Sequence, residues 1–343
     1  MVTPVLVWSR RLFWAAMVLT LAVSLWDYGG RWHTPGHYLR NLVMLGLYWG
    51  PRIAGPFLLG WLVLRVCQTT GWRRLVPTLG AGFVLMGLWA SLVEPLWLRE
   101  RTTMVSGAPV GASPLRLALV ADLHWGLFVR EGDLRRLVAR LNALDVDAVL
   151  VAGDWVHEPP LDLRGGLAPL AALRHPVYGV LGNHDTGAPG PALTEPLREA
   201  LRAHGVRLID GERVTIRGWE LVGLSDLWGG RPRQDIRQLW PAPAAMTAEG
   251  PPRLALFHQP DTQDLLPPGA VFLAMAGHTH GGQLWIPGFS PWWLRHTNSA
   301  SGRWNGLYDT PAGRLLVTPG VGLVGVPARL GVRPTIDLLE LRP

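Results

Sequence analysis

Two lengths of apolar run divide this chain of 343 residues. In the first hundred residues the runs are long. Residues 12–26 carry no charge, residues 42–67 are apolar apart from Arg52 and Arg65, and residues 75–98 carry only Glu94. A helix crossing hydrocarbon needs about 20 mostly apolar residues, so three spans are the simplest count for a transmembrane region over residues 1–98. Pro51 and Arg52 interrupt the middle run, and charge at membrane depth is costly. That run reads either as one kinked helix or as two short segments forming a re-entrant pair. Nine of the 18 Trp precede residue 98, and Trp8, Trp26, Trp32, Trp72 and Trp97 stand near run ends, as interfacial anchors do.

Later runs are short. Residues 117–121, 148–152, 177–181, 254–257 and 272–276 are Val-, Leu- and Ala-rich and close on Gly or a polar residue, the pattern of buried strands. Residues 214–216, 220–224, 315–318 and 335–341 supply further strands. Residues 131–144 place Leu134, Leu137, Val138 and Leu141 at helical spacing, and residues 194–204 read as a second helix capped by Thr194. Gly107, Pro109, Gly111 and Pro114 mark residues 99–114 as a linker. Residues 115–343 then suffice for one substantial α/β core.

Each buried run ends in candidate chemistry: Asp122-x-His124, Gly153-Asp154, Gly182-Asn183-His184-Asp185, Phe257-His258, and Gly277-His278-Thr279-His280. Polar groups at the carboxyl ends of such strands converge on one rim of a sheet. Asp, Asn and His without Cys suit hard to borderline divalent ions such as Mn, Fe, Zn or Co, whereas a structural zinc site normally recruits thiolates. The set is too large for one ion and suits two, with Asp154 as the bridge. Paired ions roughly 3.5–4 Å apart clamp the attacking and leaving oxygens of a displacement at phosphorus. Any one of these motifs alone reads equally as a helix cap or a turn; their joint order carries the metal reading.

That order resembles the calcineurin-like metallophosphoesterase superfamily. The longer run from Gly277 to Gln283 (Gly-His-Thr-His-Gly-Gly-Gln) is similar to its bacterial membrane-associated phosphodiesterase branch. The resemblance covers about residues 115–341 and implies a two-sheet sandwich flanked by helices, here preceded by the helical transmembrane region. It implies one metal held by Asp122, His124, Asp154 and His280, and a second by Asp154, Asn183, His258 and His278. A metal-bridging hydroxide would attack phosphorus. His184 would protonate the leaving oxygen or stabilise charge on the phosphoryl group, and Asp185 would help orient the His184 ring. Arg333-Pro334 is followed by Thr335, where the resemblance leads one to expect an acidic residue.

Charge adds little about partners. Residues 1–98 hold eight Arg against two acids, whereas residues 99–343 hold 24 against 23, and the chain has no Lys. The excess belongs to the membrane part, where Arg near span ends pairs with anionic lipid, and nothing suggests nucleic-acid binding. Ser9-Arg10-Arg11-Leu12-Phe13 looks like a twin-arginine export signal, read here as an uncleaved first helix of a multi-pass cell-membrane protein. Three spans with Arg10 and Arg11 inside put the catalytic domain outside the cytoplasm. Arg65, Arg73 and Arg74 agree with this, the Arg31 and Arg40 loop opposes it, and an even count reverses it. The lone Cys67 gives no redox signal.

Six His stand off the motifs: His33, His37, His157, His175, His204 and His296. His157, three residues past Asp154, is within reach of the site although a loop role is expected for it, and His296 lies in the segment 292–305, where it is a lesser candidate to meet substrate. Trp125, Trp228, Trp285, Trp292, Trp293 and Trp304 lie near the motifs and read as a wall for an acyl chain or a base. Gly229, Gly230, Arg231 and Arg233 are candidates for a second phosphate. The expected activity is hydrolysis of a phosphodiester or pyrophosphate in a lipid or lipid-linked envelope substrate. The alternatives are a catalytically silent metal-binding membrane scaffold, or a transporter regulated by a phosphoesterase-like domain, with Arg52 and Glu94 as its intramembrane polar groups.

Overall fold

A computed structural model describes residues 4–32, 36–109, 112–240 and 250–342; His33 and Gly111 of the expected linker lie outside the described residues. Four helices come first: α1 (Pro4–Tyr28), α2 (Tyr38–Ile53), α3 (Gly55–Gln68) and α4 (Leu75–Leu88). A 3-10 turn opens α4, and a π-turn and a second 3-10 turn extend it, making one helix of 26 residues, Gly71–Leu96. That helix and α1 are long and apolar enough to cross a membrane, with mean hydropathy 1.7 and 1.4. The α2–α3 pair passes the same test only as a unit bent by 56°. The bend falls at Ile53–Gly55, just after Pro51, whose ring cannot continue the hydrogen-bond ladder.

The strands are β1 (Arg99–Val105), β2 (Leu115–Val120), β3 (Trp125–Gly126), β4 (Ala148–Ala152), β5 (Val156–His157), β6 (Val177–Val180), β7 (Val206–Leu208), β8 (Arg213–Ile216), β9 (Trp219–Gly223), β10 (Arg253–Leu256), β11 (Leu273–Ala276), β12 (Gly306–Thr310), β13 (Gly313–Val317) and β14 (Thr335–Leu341). Helices α5 (Glu131–Asn142), α6 (Leu163–Leu167), α7 (Asn183–Thr186), α8 (Thr194–Ala203), α9 (Pro232–Leu239) and α10 (Phe289–Thr297) fill the connections. The cap of α8 falls on Leu193, not on Thr194.

Two six-stranded sheets form, in the orders β1-β14-β2-β4-β6-β7 and β12-β13-β11-β10-β9-β8. Within them β2, β4, β6 and β7 run parallel, as do β9, β10, β11 and β13. Alternation along β2 shows the layering. Leu117 and Leu119 join the core between the sheets with Leu254 and Leu256 of β10, while Ala118 and Val120 face a second core with Leu134, Leu137 and Leu141 of α5. The fold is therefore the expected two-sheet sandwich flanked by helices.

Residues 99–105 correct the linker expectation. They form edge strand β1, paired in parallel with β14 from Arg99↔Thr335 to Val105↔Leu341. Arg-Glu-Arg-Thr-Thr looks like solvated chain because only one strand neighbour covers it, and that neighbour lies more than 200 residues away. An ion pair of Arg101 with the buried Asp337 ties the edge down.

The helices dock on the loops that follow the parallel strands. Trp32 donates its backbone N–H to Pro159 O at 2.8 Å, and Arg31 forms a bridge with Pro160. Asp27 accepts from Arg31 (2.7 Å), Trp49 (2.9 Å) and Arg130 (3.1 Å). Leu45 and Tyr48 of α2 share a small core with Leu127, Phe128 and Leu323, and the Tyr48 and Phe128 rings stack at 5.7 Å. At the end of the last helix, Ala90 O accepts the Arg329 N–H at 2.8 Å. Arg52 and Glu94 sit at this junction: Arg52 reaches Ser91 O, and buried Glu94 accepts from Trp89 Nε1 at 3.1 Å.

Candidate metal centre

The sheet orders bring the motif residues together. Asp122 and His124 follow β2, Asp154 follows β4, and Asn183 and His184 follow β6, three adjacent strands. His258 follows β10, and His278 and His280 follow its neighbour β11. Five of these residues, Asp122, His124, Asp154, His278 and His280, hold φ between 47° and 72°. Side-chain-bearing residues rarely adopt this region, which costs of order 1–3 kcal/mol each. It turns the side chains back over the strand ends toward one point. Glycine permits the close approach, because a Cβ on Gly182 would lie 2.2 Å from Asp154 Oδ1 and one on Gly153 2.7 Å from His258 Nδ1.

Two clusters result. Asp122, His124 and His280 offer ligand atoms within 4.8 Å of one another, and so do Asp154, His258 and His278. In the first, His124 Nε2 and His280 Nε2 are 3.0 Å apart, and His280 Nε2 is 3.6 Å from Asp122 Oδ1. In the second, His258 Nε2 is 3.0 Å from Asn183 Oδ1 and 3.2 Å from His278 Nδ1. Asp154 Oδ2 faces both, at 3.4 Å from His124 Nε2 and 3.2 Å from His258 Nε2. His258 Nδ1 donates to Ala152 O at 2.7 Å, which aims its Nε2 into the cluster. Buried oxygen and imidazole donors without thiolate, converging around one shared carboxylate oxygen, fit two divalent ions.

Burial is the strongest influence on these groups. It lowers the pKa of His124, His184 and His280, takes His278 down to about 3, and lifts Asp122 to about 7. Asp154 goes the other way: the positive charge of His258, followed by His184, outweighs burial and holds its carboxyl well below the usual range. His258 is raised to about 10, the nearby Asp154 overcoming its burial.

His184 stands beside the first cluster, edge-on to His124 with ring centroids 4.9 Å apart, and it remains partly exposed. Its backbone N–H donates to Asp154 Oδ1 at 2.9 Å. Asp185 differs from expectation. Its buried carboxylate accepts backbone N–H groups of Trp155, Val156 and Gly182 at 2.9–3.2 Å, and among the described residues no hydrogen bond joins it to the His184 ring. It clamps the Asp154 turn against the Asn183 turn, and burial raises its pKa.

Sequence reasoning passed over several neighbours. His157 is a buried ring packed against both His124 (5.5 Å) and His184 (4.9 Å), not a loop residue; its spacing from Asp154 was the only hint. Arg329 is fully buried behind Asp122 and donates to the carbonyls of Pro319, Gly320, Gly322 and Val332. Asp226 and Gln259 hold the loop that sets Trp228 edge-on to His278 at 4.7 Å. Of the other tryptophans, Trp125 is buried in β3, while Trp292 and Trp293 lie on α10 rather than in a loop, exposed beside Phe289. His296 is exposed on α10, with Nδ1 donating to Trp292 O. Arg231 and Arg233 are exposed at the start of α9.

Known proteins resemble this chain in sequence. Residues 115–282 match the calcineurin-like phosphoesterase family. Phosphodiesterase YaeI of Escherichia coli is 30% identical over 261 residues, which cover 72% of this chain and 90% of that protein. A transmembrane protein with metallophosphoesterase domain from Danio rerio is also 30% identical, over 69% of this chain and 55% of its own length. Among solved structures, TT1561 of Thermus thermophilus aligns at TM-score 0.41 and 12% identity, covering 61% of this chain and 91% of that one. With its ordered ligand motifs, its family match over residues 115–282 and its 30% identity to the Escherichia coli phosphodiesterase, the chain belongs to the calcineurin-like metallophosphoesterases, metal-dependent hydrolases of phosphoric esters.

Proposed function

We propose that this protein is a membrane-anchored, two-metal phosphodiesterase or pyrophosphatase acting on a lipid or lipid-linked envelope phosphoester. The observation that carries this reading is the shared rim: the loops leaving β2 and β4 hold Asp122, His124 and Asp154, and the same loops, at Leu127, Phe128, Pro159 and Pro160, receive the N-terminal helices. A substrate whose phosphate enters this rim stays beside the bilayer.

Asp122, His124, Asp154 and His280 would hold one ion, and Asp154, Asn183, His258 and His278 the other. Such ions lower the pKa of bound water and neutralise charge on the phosphoryl group. His184, partly exposed and with its backbone N–H fixed by Asp154, protonates the leaving oxygen or, as the neutral ring that its lowered pKa favours, donates a hydrogen bond that stabilises charge on the phosphoryl group. Trp228, half-exposed and edge-on to His278, walls the opposite side.

The arginines support a catalytic domain outside the cytoplasm. The chain leaves α1 and the Gly71–Leu96 helix on the same domain. If both cross the bilayer, the bent α2–α3 pair must carry the chain back, making three crossings. Arg65, Arg73 and Arg74 then lie at the end remote from the domain, roughly 39 Å along a 26-residue helix. Arg31, which opposed this orientation on charge alone, is buried in an ion pair with Asp27.

The test uses full-length protein in detergent, stripped of metal and resupplied with Mn, acting on an aryl phosphodiester, the matching monoester, and lipid diesters and pyrophosphates in the same micelles. Mn-dependent hydrolysis is expected to fall on the order of 10³-fold or more in Asp154→Asn, and about 10²- to 10⁴-fold in His184→Ala with bound metal unchanged. Bound metal without turnover of any ester would replace this reading with a silent scaffold. Faster cleavage of soluble esters than of lipid ones would remove the lipid.

A further inference from the structure

A second opening lies behind the catalytic loops, at the seam between the helices and the catalytic domain. It is a cavity of about 750 Å³ whose lining includes none of the metal-ligand residues. One wall is apolar: Leu123, Phe128, Leu134, Leu137, Val321 and Leu323. The end of the last helix contributes Leu96 and Trp97, 59% and 50% exposed, which carry that wall outward toward the region the helices occupy. The rest of the lining carries four arginines, Arg52, Arg130, Arg136 and Arg140, against one acid, Asp133.

Three of these arginines have carboxylate partners: Arg130 pairs with Asp27, Arg136 with Asp133, and Arg140 with Glu100. Arg52 differs. Its guanidinium lies 3.7 Å from the Tyr48 ring centroid and donates to two carbonyls, of Tyr48 and Ser91, and among the described residues it has no carboxylate partner. A cation kept at the edge of an apolar cavity needs a counter-charge. The opening is continuous with a candidate membrane span, and apolar space rimmed by Arg suits a phosphate carried on acyl chains.

We infer that this cavity is a binding site for an anionic phospholipid, its phosphate on Arg52 and its acyl chain along Leu96, Trp97 and Leu137. The site rests on the proposed membrane reading of residues 4–96. The lipid is a resident ligand and not the hydrolysed ester, because the cavity contains no metal ligand. Leu123, between Asp122 and His124, forms part of its wall, so an occupant also braces the back of the first metal cluster.

The experiment starts with carbonate extraction of membranes holding the full-length protein. Release of the chain would overturn the membrane reading and this site together. Retained protein is then solubilised, stripped of lipid and metal, and melted with phosphatidylglycerol or with phosphatidylcholine of the same chains. Phosphatidylglycerol is expected to raise Tm by roughly 4 °C at about a hundred times its dissociation constant, and phosphatidylcholine to leave it nearly unchanged. Arg52→Gln should abolish the difference, and so should Gly132→Phe, which places bulk in the lining without altering charge. The second variant decides if the first does not fold. Equal shifts from the two lipids, or a phosphatidylglycerol shift that survives in whichever of the two variants folds, would overturn the site even when the membrane reading stands.

Discussion

The metal rim and the helix junction are carried by the same loops, and they are built by opposite means. At the rim, buried polar groups are held by strained backbone, with five ligand-type residues at positive φ and a carboxylate oxygen between two imidazoles. At the junction, apolar packing of Leu45 and Tyr48 on Leu127 and Phe128 surrounds a few ion pairs centred on Asp27. Ligand chemistry tolerates almost no substitution, so the rim is written in residue identity. Packing tolerates many apolar side chains of suitable volume, so the junction leaves no motif. The helices nevertheless complete the catalytic domain, and an enzyme cut at residue 98 would expose the underside of its own catalytic loops.

Three changes probe that contrast, from the largest expected effect to the smallest. Leu45 is fully buried at the junction, and Leu45→Ala should cost about 2–5 kcal/mol. Thermal melting in detergent should show the catalytic domain losing stability although the substitution lies outside it; an unchanged melt would mean that the helices merely tether. Asp185→Asn separates clamping from orientation at the rim. Losing acceptor capacity for three buried N–H groups should cost about 1–3 kcal/mol of stability, with turnover falling less than in His184→Ala. Full stability with a loss matching His184→Ala would restore the orienting role. Glu131→Gln removes an exposed pair with Arg135 on α5 and should change stability by no more than about 0.5 kcal/mol, marking the background against which the other two are read.

Much of the site was legible because its residues are rare in buried strand ends and recur in one order. Asp122, His124, Asp154, Asn183, His258, His278 and His280 all converge as that order implied. Asp185 was misread because adjacency to His184 in the chain says nothing about direction; α7 turns its carboxylate toward the backbone of Trp155 and Val156. A loop role was preferred for His157 because β5 is only two residues long, too short for a periodic signal, yet its pairing with β3 brings that ring to the centre. β1 was missed for the converse reason: its polar run acquires meaning only from a partner at the far end of the chain.

From its sequence alone, the chain determined the long apolar runs, the buried strands and the order of Asp, Asn and His donors at their ends, because hydrophobic length, period and donor identity are local properties. Only the tertiary structure decided that β14 joins the two ends of the catalytic domain, that α2 packs on it through Leu45 and Tyr48, and that Arg52 lines a cavity instead of standing in mid-span. Those outcomes depend on which surfaces meet, and the free energy of burying one surface against another depends on both partners.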